Sequence, residues 1–120
     1  MASQGTQGLS RLVKACKFSC QGLKAAFANE AAFRQEVVLA IVLIPLAVYL
    51  ADNDVECALL ISVVLMVLII ELINSGIEAI VDRIGTEQHE LSGRAKDVGS
   101  AAVLLALINA AVVWGIVLLN

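Results

Sequence analysis

Four polar residues within a largely apolar segment of the 120-residue chain have the types and the spacing that could support chemistry. Glu71, Asn74, Glu78 and Asp82 fall within about 80° of arc on a helix that advances by about 100° per residue. A carboxylate in the hydrocarbon of a membrane is unfavourable unless it is paired, protonated or in contact with water. The face that these residues share is therefore a candidate functional site.

The depth of these carboxylates separates their expected roles. A predicted span at residues 57–81 enters from the outer side, so Glu71 lies about 21 Å along it and Glu78 about 10 Å further. We expect Glu78 to meet a hydrated cytoplasmic ligand and Glu71 to meet a ligand within the membrane. The site is therefore expected to have one polar partner and one lipid partner.

Charged residues near this span supply the groups that phosphoryl transfer requires. Carboxylates such as Glu30 and Glu78 suit Mg²⁺ that keeps several waters and bridges phosphates. Lys96 and neighbouring arginines suit phosphate oxygens, and a carboxylate beside a hydroxyl suits a general base. Phosphoryl transfer by positioning and electrostatics is thus a candidate reaction. The sequence has no GxxxxGK[ST] motif and no Gly-rich loop with HRD and DFG, which excludes a kinase of the soluble type.

Each of these signals also has a structural interpretation. Glu71 and Glu78 could join helices through hydrogen bonds, and His89 could be a solvated loop residue. The basic residues of the same loop could serve only to set the topology. Cys16 and Cys20 lie four residues apart and resemble half a metal site, but they fit better as small apolar residues on a buried face.

Hydropathy predicts an all-α integral membrane protein with three transmembrane helices. Apolar residues make up 60% of the chain, against about 45–50% in soluble domains, and they lie in long blocks. We predict one domain over residues 1–120, with spans at residues 31–51, 57–81 and 98–119. A basic amphipathic helix at residues 9–29 is expected to lie on the membrane surface.

The basic residues predict how the chain is oriented in the membrane. All eight lie on the amino-terminal side of the first apolar segment or around the polar loop predicted at residues 82–97. The acidic hairpin at residues 52–56 and the C-terminus have none. By the positive-inside rule, the N-terminus and the loop between the second and third spans face the cytoplasm.

Three segments closely resemble the bacterial diacylglycerol kinase family. They are ELINSGIEAIVDR at residues 71–83, HELSGRAKDVGSAA at residues 89–102 and NEAAFRQE at residues 29–36, and the resemblance covers essentially the whole chain. It implies a homotrimer in the bacterial inner membrane, with active sites shared between subunits at the cytoplasmic interface. It also implies transfer of the ATP γ-phosphate to the primary hydroxyl of diacylglycerol, which gives phosphatidic acid in phospholipid recycling. A nucleic-acid partner is not expected.

The resemblance implies roles for the matching residues. Glu71 is implied to be the general base, Asn74 to support the reacting groups, and Glu30 and Glu78 to bind Mg²⁺. The implied ATP-binding residues are Arg11, Phe18, Glu30, Glu78, Glu87, Gln88, His89, Lys96 and Asp97. The implied lipid-substrate residues are Arg11, Arg34, Glu36, Glu71, Asn74 and Ser100.

The surface helix departs from the family pattern at three positions. Phe18 replaces a tyrosine that is common in the family, so a phenol hydrogen bond is not available there. Cys20 and Phe27 stand where members of the family often have tryptophan. The match is therefore closest around the acidic residues.

Three other functions compete with this one. The same reaction could act on another lipid alcohol such as undecaprenol, as it does in Gram-positive relatives. A small proton-coupled exporter would have four spans and an acidic residue near the middle of the first, whereas this chain has three predicted spans. A purely structural protein would show no turnover of ATP.

Overall fold

The computed structural model describes residues 7–85 and 89–120, and these residues form four α-helices. Their bounds are Gly8–Asn29 for α1, Ala31–Leu50 for α2, Asp54–Ile84 for α3 and Glu90–Leu119 for α4. Three of them, α2, α3 and α4, are long and apolar enough to cross a membrane, with mean hydropathies of 1.9, 2.7 and 2.6. The predicted all-α fold with three membrane-spanning helices is therefore confirmed.

The polar loop predicted at residues 82–97 is wrong in its extent, because α3 continues to Ile84 and α4 already begins at Glu90. The imidazole of His89 caps α4, since its Nδ1 accepts a hydrogen bond from the backbone N–H of Leu91 at 3.1 Å. Arg94 and Glu90 lie one turn apart, with 3.8 Å between their charged groups. Hydropathy marks where the apolar solvent ends, whereas capping decides where the helix ends.

A side-chain cap also starts α3 earlier than the predicted span at residues 57–81. The Asn53 side chain accepts a hydrogen bond from the backbone N–H of Glu56 at 2.9 Å. In return, the Glu56 carboxylate accepts one from the backbone N–H of Asp52 at 3.0 Å. This exchange resembles a capping box. It fixes a short turn, so α2 and α3 must lie side by side and antiparallel.

A single stripe along α3 forms the centre of the packed interior. Its buried members recur at helical spacing, and the apolar ones are Leu60, Val63, Val64 and Val67. Small buried residues on the neighbouring helices, such as Ala40 and Ala47 of α2 and Ala106 of α4, face this interior. Small side chains allow helix backbones to approach closely in a membrane.

Most large apolar side chains outside this stripe lie on the surface. Tyr49 of α2 and Leu119 of α4 are 84% and 89% exposed, and many leucines, isoleucines and valines between them are exposed as well. Exposure of such a continuous apolar surface to water is unfavourable, and the surface is suited to acyl chains or to another protein chain. The thin interior therefore belongs to a protein whose solvent is largely lipid.

Two contacts fix the antiparallel register of α3 and α4. The indole N–H of Trp114 donates a hydrogen bond to the backbone carbonyl of Leu60 at 3.1 Å. Further along, Gly99 of α4 lies against the side chain of Asn74 in α3. These contacts are separated by 14 residues on α3 and 15 on α4, about 21 Å of helix. Sliding of one helix along the other would break both of them.

We expect Trp114→Phe to lower the free energy of unfolding by about 1 kcal/mol, because it removes a hydrogen bond between helices and keeps an aromatic ring. Unfolding in mixed micelles, followed by circular dichroism, measures this change. Tyr49→Phe is the matched control, since it removes a hydroxyl from an exposed aromatic residue. Equal stabilities of the two variants would contradict the role of the indole.

Candidate active site

The stripe along α3 continues into the four polar residues predicted to share one face, Glu71, Asn74, Glu78 and Asp82, and burial decreases along them. Glu71 and Asn74 are only 5% and 7% exposed. Glu78 is half-buried and Asp82 is exposed, three turns beyond Glu71. The stripe therefore runs from the dry interior of the bundle to its polar end, as the sequence predicts.

The buried end of the stripe joins three of the predicted lipid-substrate residues. The Asn74 carboxamide Nδ2 donates a hydrogen bond to Glu71 Oε2 at 3.5 Å. From α2, the carboxyl group of Glu36 lies beside that of Glu71. Two carboxyl groups and one carboxamide are thus in contact inside the bundle, where each depends on the others for polar partners.

Three buried oxygens at this end have no hydrogen-bond partner among the residues that the structure describes. They are Glu36 Oε1, Asn74 Oδ1 and Ser75 Oγ. Ser75 lies one turn from Glu71 on the same helix, so all three oxygens belong to residues next to the buried carboxylate. Buried polar atoms nearly always have partners, and exceptions are common at functional sites. This arrangement can accept hydrogen bonds from an incoming hydroxyl group.

The polar end of the stripe gathers further charges around Glu78. Glu30, Glu71 and Asp82 lie within electrostatic range of its carboxylate, and so does the ammonium group of Lys96. Lys96 Nζ lies 2.7 Å from Asp82 Oδ1, across α3 and α4. The structure therefore brings together Glu30, Glu78 and Lys96, which the sequence assigned to metal and nucleotide. It adds Asp82, whose pairing with Lys96 had not been predicted.

Glu30 and Glu78 are suited to a divalent cation that arrives with a phosphate ligand. In residues 7–85 and 89–120, no group of three or more histidine, cysteine, aspartate or glutamate side chains is arranged to hold a metal ion. Mg²⁺ rarely needs such a cage, because one or two carboxylates, waters and substrate phosphates complete its shell. Two carboxylates such as Glu30 and Glu78 could therefore contribute to the shell of such an ion.

The first turns of α4 carry other predicted ATP-binding residues. His89 and Asp97 line a shallow cavity of about 560 Å³, together with Gly93 and Arg94. Ser100, predicted to bind lipid, is exposed one turn beyond Lys96. Among the remaining predicted residues, Arg11 and Phe18 are exposed on α1, and Glu87 and Gln88 lie outside the described residues.

A groove between α1 and α3 opens beside the polar end of the stripe. Its volume is about 780 Å³, within the usual range for sites that bind small molecules. Small residues such as Gly22, Ala26 and Gly76 line it, and Glu30 and Ser75 supply polar groups. An apolar groove beside carboxylates is suited to a ligand with both lipid and polar parts.

Arg34 has a structural role that sequence reasoning did not find. Its Nη1 donates hydrogen bonds to the backbone carbonyls of Phe27 at 2.8 Å and Ala28 at 3.1 Å. The last carbonyls of a helix have no partner within that helix, and a cation at this end is favoured by the helix dipole. Arg34 of α2 therefore closes the end of α1 across Glu30, the single residue between the two helices.

The fold and this site define a small all-α membrane protein whose carboxylates extend from a buried interior to a polar, cation-containing end. The sequence profile described as Prokaryotic diacylglycerol kinase matches residues 17–118. A diacylglycerol kinase of Haemophilus influenzae is 56% identical over 110 residues, which cover 92% of this chain and 93% of that protein.

Relatives in other bacteria match over nearly the full chain as well. A diacylglycerol kinase of Escherichia coli K12 is 53% identical over 116 residues, covering 97% of this chain and 95% of its own length. One of Pseudomonas aeruginosa is 51% identical over 117 residues, covering 98% and 95% respectively. The chain belongs to the prokaryotic diacylglycerol kinase family.

We expect Arg34→Gln to loosen the end of α1, because the carbonyls of Phe27 and Ala28 lose a charged donor. Backbone hydrogen exchange, measured by mass spectrometry in micelles, should become faster in α1 and stay unchanged in α4. Hydrogen bonds to charged groups typically contribute about 1.5–3 kcal/mol, so exchange should accelerate at least about tenfold. Arg94→Gln is the control, since the ion pair of Arg94 in the described structure is with exposed Glu90 at the start of α4. Slow exchange of α1 in both variants would contradict the capping role.

Proposed function

We propose that this protein is an ATP-dependent diacylglycerol kinase that transfers the γ-phosphate of ATP to the hydroxyl of diacylglycerol and releases phosphatidic acid. The buried contact between Glu71 and Asn74, continuous along one helix face with half-buried Glu78, is the observation that carries this proposal. The name shared by the family and the relatives supports the same substrate.

In this reaction Glu71 acts as the general base. It accepts the hydroxyl proton while the alcohol oxygen forms a bond to the γ-phosphorus, and the bond from that phosphorus to the bridging oxygen of ADP breaks. The unpartnered hydroxyl of Ser75 donates a hydrogen bond to the alcohol oxygen and orients it. The buried position excludes bulk water, which limits hydrolysis of ATP in place of transfer.

At the polar end, Glu30 and Glu78 would hold the Mg²⁺ that accompanies ATP, and Lys96 would contact the phosphates. Mg²⁺, when bound, neutralises charge that develops on the phosphate oxygens. Lys96 is already placed by Asp82 at 2.7 Å, so its ammonium group stays beside the carboxylates. His89 and Asp97 extend the nucleotide site along α4, and diacylglycerol enters from the lipid side.

The proposed setting is the bacterial inner membrane, with the N-terminus and the connection between α3 and α4 in the cytoplasm. The placement of all basic residues supports this orientation. A homotrimer with shared sites is part of the proposal. Its support is the family resemblance, together with the exposed apolar faces and the groove between α1 and α3 that one chain leaves open.

Replacement of Glu71 by glutamine should lower kcat for diacylglycerol by at least about 100-fold, because general-base catalysis typically contributes 10²–10⁴-fold. Phosphate transfer from ATP in mixed micelles measures the loss. Glu56→Gln on the same helix is the matched control, because Glu56 lies at the opposite end of α3, and its kcat should change less than about twofold.

The same assay with undecaprenol in place of diacylglycerol should give much less product. A folded Glu71→Gln protein with near-normal turnover would disprove the general-base role. Preferred phosphorylation of undecaprenol would retain the chemistry and disprove the proposed acceptor.

Removal of Mg²⁺ with a chelator should abolish transfer, and Glu30→Gln or Glu78→Gln should raise the Mg²⁺ concentration needed for half-maximal rate by about tenfold or more. The physical reason is the loss of one charged oxygen ligand from the shell of the ion. A Mg²⁺ titration at constant total ATP measures the shift, and Glu56→Gln again serves as control. An unchanged Mg²⁺ requirement in both variants would contradict the assignment of these ligands.

A further inference from the structure

The surface of α4 that meets the buried end of the stripe has no side chain at the point of contact. This point is Gly99, which is buried. A Cβ atom on Gly99 would overlap the carboxamide oxygen of Asn74 and lie 3.2 Å from its Cγ. At Gly93 and Gly115, on the same helix, a Cβ atom would meet nothing within 4 Å. Space, and not backbone conformation, therefore distinguishes Gly99 from the other glycines of α4.

The carboxamide of Asn74 is thus confined from two sides. Its Nδ2 faces Glu71 Oε2 at 3.5 Å, and its Oδ1 rests on the backbone of α4 at Gly99. This oxygen has no N–H or O–H partner within the described ranges, and Cα–H groups are only weak donors. Packing against Gly99, more than any strong hydrogen bond, holds the carboxamide in this orientation.

We propose that Gly99 is a positioning residue for phosphoryl transfer, because its bare backbone holds the Asn74 carboxamide in the orientation in which it donates to Glu71. The inference rests on the proposed function, in which Glu71 takes the proton from the alcohol. A carboxylate that acts as a base needs a fixed direction toward its substrate, and supporting hydrogen bonds provide that direction. Gly99 acts on the reaction only through Asn74.

A methyl group at position 99 should displace the carboxamide and leave the helices in place. Trp114 and Leu60 independently hold the register of α3 and α4, whereas the far end of the Asn74 side chain can rotate. Rotation would carry Nδ2 away from Glu71. The carboxylate would then lose the donor that orients it, while the nucleotide site around Glu78 would be unaffected.

The test compares Gly99→Ala, Asn74→Ala, the double variant and Gly115→Ala as control, all as full chains in mixed micelles. Gly99→Ala should lower kcat for diacylglycerol by about 10- to 100-fold, as small misplacements at reacting groups do. Its KM for ATP and its unfolding midpoint should stay close to those of the unsubstituted protein. Gly115→Ala should keep kcat within about twofold, because its methyl group enters open space.

The double variant separates positioning from general damage to the helix pair. Once Asn74 is alanine, a methyl group at position 99 has nothing to displace, so it should change the remaining kcat less than about twofold. The same factor in both backgrounds would overturn the proposal. A kcat for Gly99→Ala equal to that of Gly115→Ala would overturn it, and so would a Gly99→Ala protein that does not fold.

A second measurement does not depend on residual activity. The ¹⁵N-labelled side-chain amide signal of Asn74, assigned by its disappearance in Asn74→Ala, should shift in Gly99→Ala and stay in place in Gly115→Ala. An unmoved signal in Gly99→Ala would overturn the proposal even if turnover is lost. Normal turnover by Gly99→Ala beside an inactive Glu71→Gln would refute this inference alone, whereas an inactive unsubstituted protein would refute the proposed function.

Discussion

Glu71 is buried in the same stripe of α3 whose apolar members form the packed interior, and a carboxylate there must find polar partners within the protein. Asn74 and Glu36 provide these partners from one turn away and from α2. The need to enclose these polar side chains determines how closely the neighbouring helices pack against α3. Small residues bring α2 and α4 close enough to enclose the polar group, and Gly99 leaves room for the carboxamide. A wholly apolar stripe would pack more simply, but it would contain nothing able to take up a proton.

The length of α3 lets one helix serve two environments. Its buried end lies among apolar side chains, and its final turns carry exposed Asp82 beside Lys96. Since side chains four residues apart lie one above the other, Glu71, Glu78 and Asp82 extend over three turns, about 16 Å. A reaction between a lipid alcohol and a charged nucleotide requires this kind of bridge. Neither reactant then has to leave the solvent in which it is stable.

Periodicity and composition predicted the features that are determined within a single helix. The stripe and the three spans follow from spacing, hydropathy and charge. The contacts that depend on the distance between helices were not predictable in this way. Gly99 has no side chain to signal a contact, and the bonds of Arg34 reach backbone carbonyls that are alike at every position. Helices α3 and α4 also begin before the spans predicted for them, because hydropathy falls at the membrane boundary while caps at Asn53 and His89 start the helices outside it.

Glu30 is the only residue between α1 and α2, and its extended backbone, with φ −117° and ψ 108°, separates two helices that otherwise follow directly on one another. It is therefore the vertex of an angle whose longer arm, α1, extends about 33 Å. Points on a lever move in proportion to their distance from the pivot. If α1 lies on a bilayer surface and is displaced as that surface undulates, the displacement is largest at Gly8 and smallest at Glu30. A carboxylate at this vertex would therefore move least relative to Glu78, which lies within its electrostatic range.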